Sequence, residues 1–587
     1  PGAIAAEKAL VTQLRFELSS GERHPPRLFA DLLYALAKMS QRSPFDVLTP
    51  RICEGVAETA RDMKPRDLVT ALWSCTVMGL PDDQRGGLLG KLCPEIEMQA
   101  RHGLLSLHDL AQSLWVCGRL ESEGVDVRRF ALEIAKASVG RAGDFKPHSI
   151  SVSMWALGIM EFMHGEPVAR RLCEELTTAV SRVVADMNPQ MVSNCAWGAA
   201  RISVPPGKLY EDIAEAATKQ LLRRTATLTD QHISNVLWAY AKVEVRSPTA
   251  VRHMIAVSEE ACKDGRLAAM RSHHSAGIVR SFAKVLVPPE GMEDARLEIP
   301  PSVVRCIGLA GRAAREQIAQ WEPRLLCWVM WSMARVSLQD EATWFIPQVL
   351  VRFQPGDIGV QDFTMLTWAI CTTGMSRESF PPGRLELLTR NCLSAIRRIG
   401  ADDSLLACTA WACSRADLRG PTSALLNGIV DVAAGTFDRW LLRHLLMVAW
   451  AVILHGRYTK VSAAFVRDVY IKGVREFRLP AGEADVKSTG PRSFLDQLMQ
   501  IGVALRYEPL LAPFSVPPGL QLSAGTVSDL LSGVTPSDFQ QEVELSLRRL
   551  GLERHLISEH VVEGVLSVDV VLGPGCEPEP RRRRAAV

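Results

Sequence analysis

The feature that most constrains this chain is a tryptophan that returns about every forty residues in one context. The segments LVTALWSCTVM, LAQSLWVCGRL, ISVSMWALGIM, ISNVLWAYAKV and LCWVMWSMARV display it. Alignment places Trp73, Trp115, Trp155, Trp197, Trp238, Trp331, Trp368, Trp411 and Trp450 at one position, nine of the 13 tryptophans in the chain. Tyr34 and Arg280 occupy that position in two further copies. Most successive spacings run from 37 to 43, and one of 51 holds VPPEGMEDARLEIPP, which reads as a loop insertion. A fixed period of this length points to stacked repeats, because one such unit cannot bury its apolar face alone.

Each anchor reads as part of a helix. Apolar residues recur five positions before it (Leu68, Leu110, Ile150, Val192, Ile233), one before it and two after it, the spacing of a single helix face. Pro65, Pro147, Pro189 and Pro323 stand eight before it, where a first-turn proline loses no hydrogen bond. Ser106 and Thr229 fall at the preceding N-cap position. The next residue after the anchor is small in most copies, as at Ser74, Ala156, Gly198 and Ala239, which lets a neighbouring helix come close. The ring therefore reads as a packing anchor in a shared spine of buried indoles rather than as a platform for bases.

Between the anchors lie second helical patterns: VRRFALEIAKASVG, PVARRLCEELTTAVSRVVADM, KLYEDIAEAATKQLLRR and RLELLTRNCLSAIRRIG. The expectation is an all-α chain, an α-solenoid superhelix of about eleven two-helix repeats, with a small α/β C-terminal segment. Residues 1–25 form a helical lead-in, 26–478 the array, 479–535 a linker with one helix, and 536–587 the C-terminal segment with a basic tail.

Composition narrows the function. With 67 basic and 65 acidic residues, the chain is not a strongly basic nucleic-acid binder, although a near-neutral molecule can carry a local basic stripe. Its 14 cysteines form no CxxC pair and no zinc-like cluster, and read as buried free thiols in a reducing compartment. No apolar run reaches the length of a membrane span. No Gly-rich phosphate loop follows a strand, and neither HExxH nor GxSxG occurs. No enzyme, catalytic residue, cofactor or metal is expected.

A polar pattern accompanies the anchor. Four residues after it stand Lys38, Arg119, Arg201, Lys242, Lys284, Arg335 and Arg415. Three before it stand Thr70, Gln112, Asn194 and Asn235, and six before it Asp67, Asp109, Ser149, His232, His274, Asp362 and His444. Offsets of minus six, minus three, plus one and plus four are expected near one face, so that stacking aligns them into a ribbon with a basic edge. Two uses stay open. The basic edge can take phosphates while the amides touch base edges, about one nucleotide per repeat. Alternatively, the bases meet the helix dipole at the last turn and the acids cap the first.

The phrase Leu-Trp-Ala-x-Ala-Lys, whole in LWAYAKV and varied in LYALAKM, resembles octotricopeptide repeats and is similar to the heptatricopeptide arrays of organellar RNA-binding proteins. The resemblance covers about 26–478. It implies single-stranded RNA binding, to mRNA or rRNA, in transcript stability, processing or translation in mitochondria or chloroplasts, with ribonucleoprotein subunits as further partners. The alternative use of such an array is a protein-binding scaffold or a structural subunit of an organellar ribosome. Near the C-terminus, SDFQQEVELSLRRLGL followed by GVLSVDVVLGPG reads as a helix and then a strand. This resembles the lead-in of a RAP domain, which also ends the FAST-kinase-like mitochondrial proteins, through Phe539–Val543, Leu550–Gly551 and Val568-Asp569-Val570. The later acidic strand of that domain has no counterpart here, so Asp569 reads as a structural strand residue rather than a metal ligand. Arg581–Arg584 is a phosphate-binding tail or a solvated end.

Overall fold

The computed structural model describes residues 11–18, 24–39 and most of 45–478, omitting 288–298, 353–358, 374–382 and shorter breaks. Beyond these it describes parts of 498–514 and the strands at 556–562 and 566–572. The chain divides into two compact units, residues 1–288 with 296–313, and 314–587 with 289–295.

The first unit comprises α1 (11–18), α2 (Pro26–Lys38), α3 (Thr49–Thr59), α4 (Pro65–Met78), α5 (Asp82–Arg101), α6 (Leu107–Glu121), α7 (Arg128–Ser138) and α8 (Pro147–Ile159). It continues with α9 (Pro167–Val183), α10 (Pro189–Arg201), α11 (Lys208–Leu222), α12 (Asp230–Val243), α13 (Pro248–Ala261), the single-turn α14 (Arg266–Ala269), α15 (Ser272–Leu286) and most of α16 (Pro301–Glu316). Helices α2, α4, α6, α8, α10, α12 and α15 pack side by side as a first layer, and α3, α5, α7, α9, α11 and α13 as a second. The second unit holds α17 (Pro323–Arg335), α18 (Gln339–Arg352), α19 (Val360–Thr373), α20 (Arg384–Ile399), α21 (Asp403–Arg415), α22 (Arg419–Gly435), α23 (Leu442–His455) and α24 (Lys460–Arg478). There α17, α19, α21 and α23 form the first layer, with α20, α22 and α24 behind. The protein is an α-solenoid in each unit, and its eleven anchor positions fall on the eleven first-layer helices. The second helices read from sequence are α7, α9, α11 and α20.

Near the C-terminus, β1 (Leu556–Val562) pairs antiparallel with β2 (Leu566–Leu572), Leu556 opposite Leu572 and His560 opposite Val568. Val568–Val570 lies on β2 as expected. β1 was not foreseen, because Ser558-Glu559-His560 interrupts the alternation of apolar and polar residues that marks a strand. Phe539–Val543, Leu550–Gly551 and Arg581–Arg584 lie outside the described residues.

Local chemistry fixes the helix starts. Pro65, Pro147, Pro189 and Pro323 open their helices. Ser106 and Asp109 form a reciprocal cap, the Asp109 amide donating to Ser106 Oγ (3.2 Å) and the Ser106 amide to Asp109 Oδ2 (3.1 Å). Thr229 and His232 repeat it, with the Thr229 amide donating to His232 Nδ1 at 3.2 Å. Because Nδ1 accepts, Nε2 carries the proton and donates to Gln190 Oε1 (3.0 Å) on the neighbouring α10.

The indoles do not form the buried spine expected. Leu68, Leu110, Ile150 and Val192 are buried, but every anchor tryptophan is half-buried, and Tyr34 is 41% exposed. The rings form a ladder along the exposed edge of the first layer. Centroids are 5.6 Å apart for Tyr34–Trp73, 6.4 Å for Trp73–Trp115, 6.3 Å for Trp115–Trp155, 6.2 Å for Trp197–Trp238 and 6.2 Å for Trp331–Trp368. The cause is the close approach of the helices beneath them. A Cβ at Gly118 would stand 2.9 Å from the Ala156 Cα, and one at Gly158 would stand 3.0 Å from the Gly198 Cα. One at Gly198 would overlap the Met154 carbonyl. Backbones this close leave no interior room for an indole. The Trp155 and Trp197 rings instead lie over Gly118 and Gly158 of the preceding helix, half in water.

In the first unit a buried polar contact ties α12 to α13 across the layers. Tyr240 on α12 and His253 on α13 are both buried, with the hydroxyl 3.3 Å from Nδ1 and the rings edge-on at 5.8 Å. Burial pulls the His253 imidazole down to about 4.

Two stability predictions follow from this packing. Gly198→Ala gains up to about 1 kcal/mol of helix propensity but must displace backbone, a cost of about 1–3 kcal/mol or more, so its melting temperature should fall. Gly90→Ala on α5, with nothing within 4 Å, should raise it. Equal shifts would contradict the close approach. For His253, the unfolded chain takes its proton first as pH falls. The stability it carries is full above about 6.5 and is lost toward about 4, at no more than about 1.4 kcal/mol per pH unit. Urea midpoints at pH 7 and pH 5 should differ less for His253→Phe than for the parent. An unchanged difference would rule out His253 as the source.

Candidate nucleic-acid interface

A helix turns about 100° per residue, so offsets of minus seven, minus three, zero and plus four from the anchor span only about 60°. Offsets of minus six and plus one lie outside that arc. The structure follows this geometry and corrects the expected ribbon. At minus six, Asp109, Ser149, His232 and His444 are buried, and at plus one Ser74, Ala156 and Ala239 are fully buried. The minus-six residues join repeats and cap helices. Asp362 Oδ1 accepts from Trp328 Nε1 at 3.0 Å, and His444 Nδ1 sits 2.9 Å from Asp403 Oδ2. Burial would raise the Asp403 carboxyl, but hydrogen bonds from His444 and the Leu441 amide hold it down at about 2.

In their place enters a position that sequence reasoning missed. Seven before the anchor stand Arg27, Arg66, His108, His148, Gln190, Gln231, His273, Arg324, Gln361, Ser404 and Arg443, every one exposed and none acidic. The signal was present, since this position is polar in all eleven copies. A lone polar residue in a first turn looks ordinary until the copies are set side by side.

The plus-four cations reach this stripe in different ways. Lys38 Nζ lies 4.8 Å from the Trp73 ring centroid and 5.5 Å from that of Tyr34. The Arg201 guanidinium lies 5.6 Å from the Trp197 ring, donates from Nε to the Gly158 carbonyl (3.2 Å) and pairs with Glu161. Arg335 lies 5.7 and 5.6 Å from the Trp331 and Trp368 rings. Cation and ring electrons attract, so ladder and basic edge form one surface. Arg119 is exposed and 3.0 Å from Glu123. Lys242 is exposed, and Lys284 is half-buried, 3.6 Å from Glu244. Burial pulls the Lys284 ammonium down, with Arg280 and Lys242 adding to the effect and Glu244 opposing it. Arg415 ends α21, and its side chain lies outside the described residues.

The minus-three residues are half-buried on the same stripe. The Thr70 hydroxyl is held by its own helix, donating to the Arg66 carbonyl at 2.8 Å. Asn194 Oδ1 accepts from Gln190 at 2.8 Å, while Gln112 and Asn235 border the ladder.

The stripes are unbalanced in charge. The seven helices of the first unit offer 28 such positions with eight Lys or Arg and one acid, Asp31; the four of the second offer 16 with four Lys or Arg and no acid. A chain with 65 acidic residues in 587 would place about five there by composition alone. Among the described residues no three His, Cys, Asp or Glu side chains gather as a metal site, and no helix is long and apolar enough to cross a membrane.

No family model matches the chain, and no curated protein matches it. Among solved structures it is similar to a circular tandem repeat protein with novel repeat topology and enhanced subunit contact surfaces, at 15% identity over 89% of this chain and 97% of that one, with a TM-score of 0.16. At that score the likeness adds nothing to the fold read from the helices themselves.

Half-burial sets the expected worth of a ladder ring. Truncating a fully buried tryptophan costs about 3–5 kcal/mol, so Trp115→Ala should cost roughly 2 kcal/mol in chemical unfolding. Gln112→Ala beside it should stay within about 0.5 kcal/mol. Equal costs would mean that the ring does not hold the repeats together.

Proposed function

We propose that this chain binds single-stranded RNA along the exposed stripes of its first-layer helices. The supporting observation is charge segregation: twelve Lys or Arg against one acidic residue over 44 stripe positions, in a chain with nearly equal bases and acids overall. Phosphates lie along the edge of Lys38, Arg119, Arg201, Lys242, Lys284, Arg335 and Arg415, while the minus-seven and minus-three side chains meet base edges. The ladder advances about 6 Å per repeat, in keeping with about one nucleotide per repeat.

The resemblance to octotricopeptide and heptatricopeptide repeats extends this reading to mitochondria or chloroplasts. The ligand is then an mRNA or rRNA, the role transcript stability, processing or translation, and the companions ribonucleoprotein subunits. On this reading the chain catalyses nothing, and β2, with Val568-Asp569-Val570, belongs to the lead-in of a RAP-like domain. A second reading has its own support: Val77, Val152, Ile159, Met447 and Leu454 make parts of the stripe apolar, as a protein-binding scaffold or a structural subunit of an organellar ribosome would use.

Crosslinking in cells followed by RNA sequencing should recover discrete sites, and recovery of none defeats the proposal. In vitro, Lys38→Gln, Arg119→Gln and Lys242→Gln together should flatten the slope of log affinity against log salt by about 2, roughly 0.7 per lost phosphate contact. Asn194→Ala with Asn235→Ala should change sequence preference and leave the slope alone. A slope unmoved by the triple variant assigns those bases to the helix dipole.

A further inference from the structure

A chain of hydrogen bonds crosses from α12 to the stripe of α10, and it has a direction. It starts at the Thr229 amide, which can only donate, and does so to His232 Nδ1 at 3.2 Å. His232 Nε2 donates in turn to Gln190 Oε1 at 3.0 Å, and Gln190 Nε2 donates to Asn194 Oδ1 at 2.8 Å. Burial pulls the His232 imidazole below its ordinary value, against a hydrogen bond with the Thr227 backbone. A charged ring would still donate from Nε2, so protonation does not reverse the chain.

Both amide atoms of Gln190 are thereby engaged, so in this repeat the minus-seven residue steers its neighbour. The two ends of a carboxamide point apart, and an Oδ1 held by Gln190 turns the Asn194 Nδ2 away from it. Nδ2 has no partner among the described residues and is not shut off from water. The α10 stripe thus presents an N–H donor in a fixed orientation, three residues before Trp197. In α12 the same two letters, Gln231 and Asn235, carry no such bond among the described residues, and both ends of the Asn235 amide stay accessible.

Resting on the reading of the stripes as an RNA-binding surface, we propose that Asn194 selects a keto base, guanine or uracil, over an amino base, adenine or cytosine. Gln190 and His232 are the positioning residues that set this choice. Guanine and uracil turn carbonyl oxygens toward a donor, and in a single strand those edges are open. Adenine and cytosine turn an exocyclic amino group toward it, so that two donors meet. The bidentate pairing of asparagine with adenine needs both amide atoms, Oδ1 for N6 and Nδ2 for N7, and here Oδ1 is already held. Asn235, with neither end held, keeps that pairing. Two repeats that read alike as letters therefore prefer different bases.

The test is selection of bound RNAs from a randomised single-stranded pool by the full chain and its variants. Asn194→Ala identifies the nucleotide that α10 faces, as the one position whose preference it flattens. In the parent that position should favour guanine and uracil by about two- to tenfold, the worth of one neutral hydrogen bond. His232→Glu keeps the helix cap, as Asp109 does at the same place in α6, but offers Gln190 only acceptors. Gln190 then turns over and donates to the new carboxylate, Asn194 presents Oδ1, and the preference at that position should reverse to adenine and cytosine. His232→Gln, which caps through its oxygen and donates through its nitrogen, should keep the parent preference. Gln190→Ala, an exposed change that spares the cap, should free Oδ1 and raise adenine to the level of guanine. A merely structural role for His232 would weaken binding at all positions alike. The proposal is overturned if the parent binds RNA selectively but treats keto and amino bases equally at that position. It is equally overturned if His232→Glu and Gln190→Ala leave the preference unchanged. Retention of no RNA from the pool defeats the RNA reading itself, and this inference with it.

Discussion

The structure depends on how closely its first-layer helices approach. At Gly118, Gly158 and Gly198 the backbones of α6, α8 and α10 come near enough to exclude even a methyl group. Such contacts gain dispersion energy along whole helix lengths but give up side-chain volume. The anchor indoles recover it. The Trp155 ring lies across the thin place left by Gly118 on the helix before it, and the Trp197 ring across that left by Gly158. On α6, α8 and α10, small residue and large ring are thus two halves of one contact.

This accounts for what the sequence could convey. The period, the helices, the proline and serine starts and the buried minus-five face were all legible, because helical spacing and first-turn chemistry are local rules. Ser106, Thr229, Pro147 and Leu110 act as read. The burial of the ring was misjudged because it depends on interhelical distance, which no single copy states. A tryptophan among apolar neighbours looks like core unless one knows that the neighbouring backbone already fills the space.

The same geometry explains which polar residues were misassigned. Asp109, His232 and His444 share the periodicity of the basic series and look equivalent to it on paper. One residue of offset rotates them about 100° away from the minus-seven stripe, and they become caps and inter-repeat bonds. The minus-seven residues were invisible for the opposite reason. Arginine, histidine and glutamine differ as letters and share only exposure and lack of negative charge, a similarity that appears once the copies are stacked.

Charge completes the picture of where a ligand would lie. The second layer neutralises itself: Glu97 takes Arg129 at 3.0 Å and Arg101 at 3.6 Å, and Glu133 takes Arg101 and Lys136 at 2.8 Å each. Acids spent there cannot screen the first layer. Some bases on the stripes do have acidic neighbours: Arg27 pairs with the one stripe acid, Asp31, at 3.2 Å, while Arg119 with Glu123, Arg201 with Glu161, Lys284 with Glu244 and Arg324 with Glu322 meet acids that stand off the stripe, before or beyond the helices. A polyanion lying along the ladder would meet the cations and aromatic edges directly. A net charge of +2 is therefore a poor guide to this molecule. The repeat sorts charge by helix face, and the field a ligand meets is set by that sorting rather than by the sum.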